Sequence, residues 1–263
     1  MARTPFQLVL VVAILSLPTA APAVTVDAFT DAFPANECLP NSGLPILFVG
    51  PYCDGASCPP DPVAPCWENS TQQSGLAGVL SGHAVPAARG VFVSTLNETP
   101  ASARIRPELG RLEIEVGQDA YHGVQVSYSS GTSEDLGLNL PALGAAGLAF
   151  ELFGDPAPTH PISISVNLIT SHPVPGGQVF DTANYAGTLD HTGPWLLPFS
   201  AFQTSSGFSY AEVDLIVIEL TGDVGAPGSP LPARSWAIGP ITFMTGPTAS
   251  ATRTWGGLKA LYR

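Results

Sequence analysis

Apolar and polar residues alternate with a period of two in stretch after stretch of this chain. In Arg111-Leu112-Glu113-Ile114-Glu115-Val116 the aliphatic side chains face one way and the charged ones the other, as a half-buried antiparallel strand requires. The alternation returns at residues 124–128, 148–152 and 162–168. Asp214-Leu215-Ile216-Val217-Ile218-Glu219-Leu220 is apolar on both faces and predicts a central strand covered on both sides. Residues 236–244 predict a closing strand in which Pro240 marks an edge or a bulge. With residues 90–94, 103–106 and 136–140 the pattern predicts eight to ten strands separated by turn signals, the mark of one all-β sandwich or barrel. Its body is placed at residues 75–246, with 24–74 supplying an N-terminal strand and a loop of the same domain. Residues 171–195 carry Pro173, Pro175, Gly176-Gly177 and Gly193-Pro194 and predict an extended end loop, where function on a rigid β scaffold tends to reside.

Composition narrows the picture. With 27 glycines and 27 prolines among 263 residues, helix bundles and coiled coils are excluded. Charged residues make up 11% of the chain, against about 25% in an average soluble domain. All 21 acids lie between residues 24 and 223 with only four bases, Arg89, Arg104, Arg106 and Arg111, a balance of −17. Nucleic acid is thereby excluded as a partner, because a binder must offer phosphates a basic face. Residues 224–263 hold four bases and no acid, so the end of the chain is read as a separate element: a linker and short tail over residues 247–263.

At the other end, Arg3, the apolar run from Leu8 to Leu17 and the small residues Ala21-Pro22-Ala23 read as a secretory signal peptide over residues 1–23. The run is too short to span a bilayer, which needs about 20 apolar residues. The expected location is therefore extracellular or at the cell surface, with no transmembrane segment after signal removal. Export makes disulfides the leading reading of Cys38, Cys53, Cys58 and Cys66. Four thiols allow three pairings, which sequence leaves open; a small Cys53–Cys58 loop nested inside Cys38–Cys66 is the working expectation. Their spacing lacks the paired short knuckles of a four-thiolate zinc site.

Several stretches carry a family resemblance: Val26-Asp27-Ala28-Phe29, Gly78-Val79-Leu80-Ser81-Gly82, Gly147-Leu148-Ala149-Phe150-Glu151-Leu152, and above all Leu197-Pro198-Phe199-Ser200-Ala201-Phe202 followed by Phe208-Ser209-Tyr210-Ala211-Glu212-Val213-Asp214. Together they resemble a group of secreted bacterial β-sandwich domains, jelly-roll and galactose-binding-like in shape and related to carbohydrate-binding modules. The resemblance implies a jelly-roll-like antiparallel sandwich. In that group aspartates of the closing strand help hold a structural calcium near the opening Asp. The matching stretch here, Ser235-Trp236-Ala237-Ile238-Gly239, carries none, which argues against that cation. The tail Thr254-Trp255-Gly256-Gly257-Leu258-Lys259-Ala260-Leu261-Tyr262-Arg263 is similar to short Trp-Gly-x-x-Lys-x-x-Tyr endings of exported bacterial proteins. Trp255, Leu258 and Tyr262 share one face of a short helix beside Lys259 and Arg263, as a recognition or retention tag or an ordinary docked end would.

Chemistry-bearing motifs are sparse. Glu113 and Glu115 share a sheet face, as a glycosidase's carboxylate pair could, but Arg111 stands on the same face and makes a solvated charge row the stronger reading. Glu134-Asp135, Asp181 and Asp190 read as loop carboxylates, and His83, His122, His160, His172 and His191 are scattered. No phosphate loop, zinc helix or nucleophile elbow occurs, so neither catalysis nor a cofactor is expected. Four aromatics in turn-like contexts, Trp67, Tyr121, Tyr185 and Trp195, are the candidates for stacking on a sugar. The expected function is thus a non-catalytic sandwich binding carbohydrate or another surface ligand through its end loops. The alternative is a structural or adhesive surface protein, and a glycan-active hydrolase is third. The mass of the protein exported from a secreting host checks the two processing expectations: it should begin at Val24 and gain mass on reduction.

Overall fold

The computed structural model describes residues 24–32, 47–52, 63–66, 68–76, 78–80, 87–95, 103–108, 110–116, 122–130, 135–154, 161–222 and 233–245. The signal peptide, Cys38, Cys53, Cys58, Trp67, Tyr121, Glu134, His83, His160 and the 247–263 tail lie outside the described residues.

Period-two segments become strands throughout. In chain order they are β1 (Thr25–Asp27), β2 (Leu47–Tyr52), β3 (Val63–Cys66), β4 (Glu68–Ser74), β5 (Ala88–Thr95), β6 (Ala103–Glu108), β7 (Arg111–Val116) and β8 (His122–Ser129). There follow β9 (Ala145–Gly154), β10 (Ile162–Val174), β11 (Gly177–Leu189), β12 (Gly193–Pro198), β13 (Gln203–Thr204), β14 (Leu215–Gly222), β15 (Arg234–Ile238) and β16 (Ile241–Thr245). A single 3-10 turn, Phe199–Ala201, is the one helical element among the described residues, and no helix there is long and apolar enough to cross a membrane. The strands form two antiparallel sheets. One has seven strands in the order β13-β11-β10-β14-β8-β5-β4; the other runs β1-β16-β9-β15-β7-β6-β2-β3, with β12 on the free side of β9. Because the chain passes back and forth between the sheets, neighbours in sequence seldom end as neighbours in a ladder, as a jelly-roll-like sandwich demands. Cys66 closes β3 opposite Gly50.

Inward positions of both sheets meet in one apolar core. Val124, Val126, Ile164, Val166, Leu168, Ile216 and Leu220 from the seven-stranded sheet face Leu112, Ile114, Leu148, Leu152, Ile238 and Phe243 from the other. The antiparallel sandwich is as expected, and the described residues form sixteen strands where eight to ten were expected. The largest difference lies at residues 171–195, where the long loop is absent. The segment completes a hairpin of two 13-residue strands, β10 and β11, whose tip is Pro175-Gly176 with Gly176 at φ 91°, and then starts β12. Proline at the first and glycine at the second corner suit a tight turn, and β12 tolerates Pro194 because it is an edge strand. Residues 136–140 also differ. Leu136, Leu138 and Leu140 are buried alternately as the pattern requires, yet one bridge, Leu138 to Val213, stands in place of a ladder. β14 is central but covered on one face only: Ile216, Ile218 and Leu220 are buried, Leu215 and Val217 half-buried and Glu219 exposed. The closing segment breaks at Gly239-Pro240, the bulge that Pro240 implies, so that β15 and β16 lie in succession along β9.

One polar cluster crosses the sandwich. Asp27 of β1, Arg89 of β5 and Tyr128 of β8 are all fully buried. Arg89 Nη1 donates to Asp27 Oδ1 and Oδ2 at 3.3 and 3.2 Å, the Tyr128 hydroxyl to Oδ2 at 3.2 Å and the Phe29 amide to Oδ1 at 2.7 Å. Arg89 Nη2 donates to the Asp31 carbonyl at 2.7 Å and to Gln73 Oε1 at 2.9 Å. Burial pushes the Asp27 carboxyl above the ordinary carboxylate range, opposed by Arg89, the Phe29 amide and Tyr128. The carboxylate that the resemblance would place beside a calcium is thus engaged by a guanidinium. Breaking such a pair leaves one charge buried alone: Asp27→Asn or Arg89→Met should each cost about 3–5 kcal/mol. The double variant Asp27→Leu/Arg89→Met should cost clearly less than the sum, as urea unfolding will show.

Candidate functional site

The side of the seven-stranded sheet turned away from the core is built from the polar halves of its strands. Antiparallel register sets them in rows across the sheet. One row passes from Gln203 on β13 through Asn184 and Asn167 to Val217 on β14, then through Ser127 and Gly90 to Gln72 on β4. The next runs from Ala186 through Ser165, Glu219 and Gln125 to Phe92 and Ser70. Every residue in the two rows is half-buried or exposed. At about 4.8 Å between strands, seven strands make a face about 29 Å across.

Its hydrogen-bonding groups are held in place. Asn184 Nδ2 donates to Asn167 Oδ1 at 2.7 Å, and both amides approach Ser165 Oγ at 3.4 Å. Ser165 Oγ accepts there and so keeps its own proton to donate. On the other flank Phe92 is the one aromatic ring in these rows, with Gly90 two residues earlier on the same side. A Cβ at Gly90 would come within 2.5 Å of Ser127 Oγ, so glycine keeps the floor beside Phe92 low. The arrangement offers a half-exposed ring bordered by amides, hydroxyls and a single carboxylate, Glu219.

Of the four aromatics singled out from sequence, Trp67 and Tyr121 lie outside the described residues, and the other two, Tyr185 and Trp195, stand on different sheets. Tyr185 stands opposite Val166, on the inward side of β11, with its ring 5.6 Å from that of Phe202 and its phenol across Gly187, where a Cβ would lie 2.6 Å from the hydroxyl. Trp195 belongs to the other sheet, opposite Phe150. It packs against the core, stacks on His191 at 4.4 Å and donates Nε1–H to the His191 carbonyl at 3.1 Å. Both take part in packing. Phe92, Gln125, Asn167 and Glu219 were overlooked although their strands were recognised, and Asn184 was overlooked with its strand, β11, which read as loop. The available signal was the identity of the polar residues in each alternation, amides and hydroxyls in place of Lys and Glu.

The remaining carboxylates have structural settings. Register puts residue Arg106 opposite Glu113 and residue Arg104 opposite Glu115 in the other sheet. Arg111 leans over the Phe153 ring at 3.6 Å. Asp181 accepts from Ser205 Oγ at 2.8 Å, and His172 Nε2 lies 3.8 Å from its other oxygen and 3.3 Å from the Gly207 carbonyl. The carboxylate stands between hydroxyl and imidazole, so His172 is not placed to take the Ser205 proton as a nucleophile's base must. Asp190 is held below the ordinary carboxylate range by its hydrogen bond to His191. Among the described residues no three His, Cys, Asp or Glu side chains converge on a point that could hold a metal ion.

No family model matches the chain, and no curated protein matches it. Among solved structures it is similar to the family 11 carbohydrate-binding module from Clostridium thermocellum in complex with a beta-1,3-1,4-mixed-linked tetrasaccharide. That match has 12% identity over 68% of this chain and 89% of the module, with a TM-score of 0.32. It is also similar to the family 11 xylanase from Neocallimastix patriciarum, at 6% identity over 66% of this chain and 99% of the xylanase, with a TM-score of 0.28. Likenesses this distant decide nothing about activity, and one neighbour is a binding module while the other is an enzyme.

Asp214 holds β10 toward the tip end of the hairpin, accepting from the Ser171 amide at 2.7 Å and the Ser171 hydroxyl at 2.8 Å. Asp135 hydrogen-bonds to it, and that bond, then burial, then the charge of Asp214 raise the Asp135 carboxyl above its ordinary range. Folding therefore favours the protonated form: this contribution is full below the unfolded pKa and is lost as pH rises through the raised one. Asp135→Asn keeps a donor toward Asp214 without the charge. It should melt about 1–2 °C above the parent at neutral pH, and the gain should vanish in scanning calorimetry near pH 3.

Proposed function

We propose that this protein is a binding module for a hydroxyl-rich glycan, which lies across the outer face of the seven-stranded sheet. The observation that carries the reading is the pair of rows in which amides and hydroxyls surround Phe92 on a face about 29 Å wide, longer than any single sugar. A sugar ring has apolar C–H faces and polar edges, and here Phe92 meets the face of one sugar with Gln125 beside it, while Ser165, Asn167 and Asn184, three and four strands away, meet the edges of others along the chain. Neutral hydrogen-bonding groups shed their water at smaller cost than charges, which suits a ligand of hydroxyls. The reading keeps the ligand class expected from sequence and moves the site from the end loops to the sheet. Export of the chain, its nested disulfides and its tail are further parts of the proposal, consistent with a ligand met outside the cell.

Affinity electrophoresis in gels containing soluble polysaccharides tests this directly. Phe92→Ala should weaken binding about tenfold and Asn184→Ala about three- to tenfold, with unchanged melting temperatures. Leu196→Ser, at an exposed position outside the other sheet, should leave binding as it is. Failure of every polysaccharide to retard the parent would overturn the reading and favour a structural building block. Loss on Leu196→Ser but not on Phe92→Ala would move the site to the other face.

A further inference from the structure

Resting on that reading, we infer that Glu219 sets the charge preference of the face, which accepts amine-bearing glycans ahead of neutral ones and rejects anionic ones. None of the seven strands contains a lysine, and their one arginine, Arg89, is 0% exposed and turned inward onto Asp27. Their histidines stand near strand ends, His122 opening β8 and His172 beside Asp181 near the hairpin tip. The other bases of the body, Arg104, Arg106, Arg111 and Arg234, are on β6, β7 and β15 of the opposite sheet. A uronate or sulfate laid along these rows would find no cation to pair with and would meet one carboxylate.

That carboxylate is central. Glu219 is exposed on β14, the middle strand of the seven, between Ser165 on one ladder and Gln125 on the other. A hydroxyl and an amide on its two sides can hold the hydroxyls of a sugar while the carboxylate takes an ammonium. Charge-assisted hydrogen bonds are roughly twice as strong as neutral ones, whereas a like-charge meeting acts against the wrong ligand. Because the rows extend across several strands, a polymer can present repeated amines to the same carboxylate, which raises its apparent affinity.

The test uses three soluble probes: hydroxyethyl cellulose as neutral, chitosan as amine-bearing and polygalacturonate as anionic. At low ionic strength the parent should bind chitosan about fivefold more tightly than hydroxyethyl cellulose, and the preference should shrink in about 1 M salt. Glu219→Gln should bring the two to parity. Glu151→Gln, which removes an exposed charge outside the other sheet, should not, and this separates Glu219 from attraction by the acidic body as a whole. Glu219→Lys should admit polygalacturonate. Equal loss of preference in Glu151→Gln and Glu219→Gln overturns the assignment, as does binding of polygalacturonate by the parent. Binding of hydroxyethyl cellulose without a chitosan preference overturns it while the glycan-binding function stands; binding of no probe overturns both.

Discussion

The two sheets are joined by more than apolar contact, and the Asp27–Arg89 pair is the connection on which the rest depends. β1 belongs to one sheet through its pairing with β16, while Arg89 and Tyr128 belong to the other. Three buried polar residues therefore have to meet at one distance and one register for any of their charges to be compensated. A slip of β5 by one residue would turn Arg89 outward and bury Gly90 in its place, leaving Asp27 alone in the core. The surrounding backbone is shaped to this end. Phe29 takes a left-handed φ of 50° while its amide bonds to Asp27, and Leu80, at φ 43°, donates its amide to the Val26 carbonyl. Strain of this kind, on the order of 1 kcal/mol per residue, persists where neighbours over-determine it.

The same pair shapes the outer face. It consumes inside the sandwich the single strong cation of the seven-stranded sheet. With Arg89 inward, β5 turns Gly90 and Phe92 outward, and these supply the low floor and the aromatic ring of the candidate site. Core register and site composition are thus one constraint seen from two sides.

What sequence made legible follows the same logic. Strands whose inward face is aliphatic are legible because period-two burial is a local property of the chain: Arg111–Val116 appears at its bounds, and residues 148–152 and 162–168 are the middle of β9 and the first half of β10. The β11 strand was hidden because its inward residues include Ala183, Tyr185 and Gly187. Small or aromatic residues do not read as an aliphatic stripe, and the prolines and glycines that close the hairpin read as loop. β4, Glu-Asn-Ser-Thr-Gln-Gln-Ser, has no apolar alternation at all and is a strand only because β5 pairs with it. The site was harder still. Its residues come from β10, β11, β14, β8 and β5, brought into line by ladders between segments as much as 100 residues apart. Type and parity were readable; the rows needed the pairing.

That distance between legible strands and illegible rows also recasts the low charge of the chain. An 11% charged sequence can satisfy its outward faces with hydroxyls and amides only if the sheet stays soluble without Lys and Glu. On the outside of β7, Arg111, Glu113 and Glu115 still do that ordinary work. In the two rows of the seven-stranded side they are replaced, and the replacement is not uniform: the hydroxyls flank a ring, the amides bond to one another, and the one carboxylate of those rows lies near the middle. A surface needing only solubility would not benefit from preorganising Asn167, Asn184 and Ser165, because water satisfies free amides as well as bound ones. Ordering them in advance lowers the entropy a ligand must overcome, and that advantage exists only if something binds there.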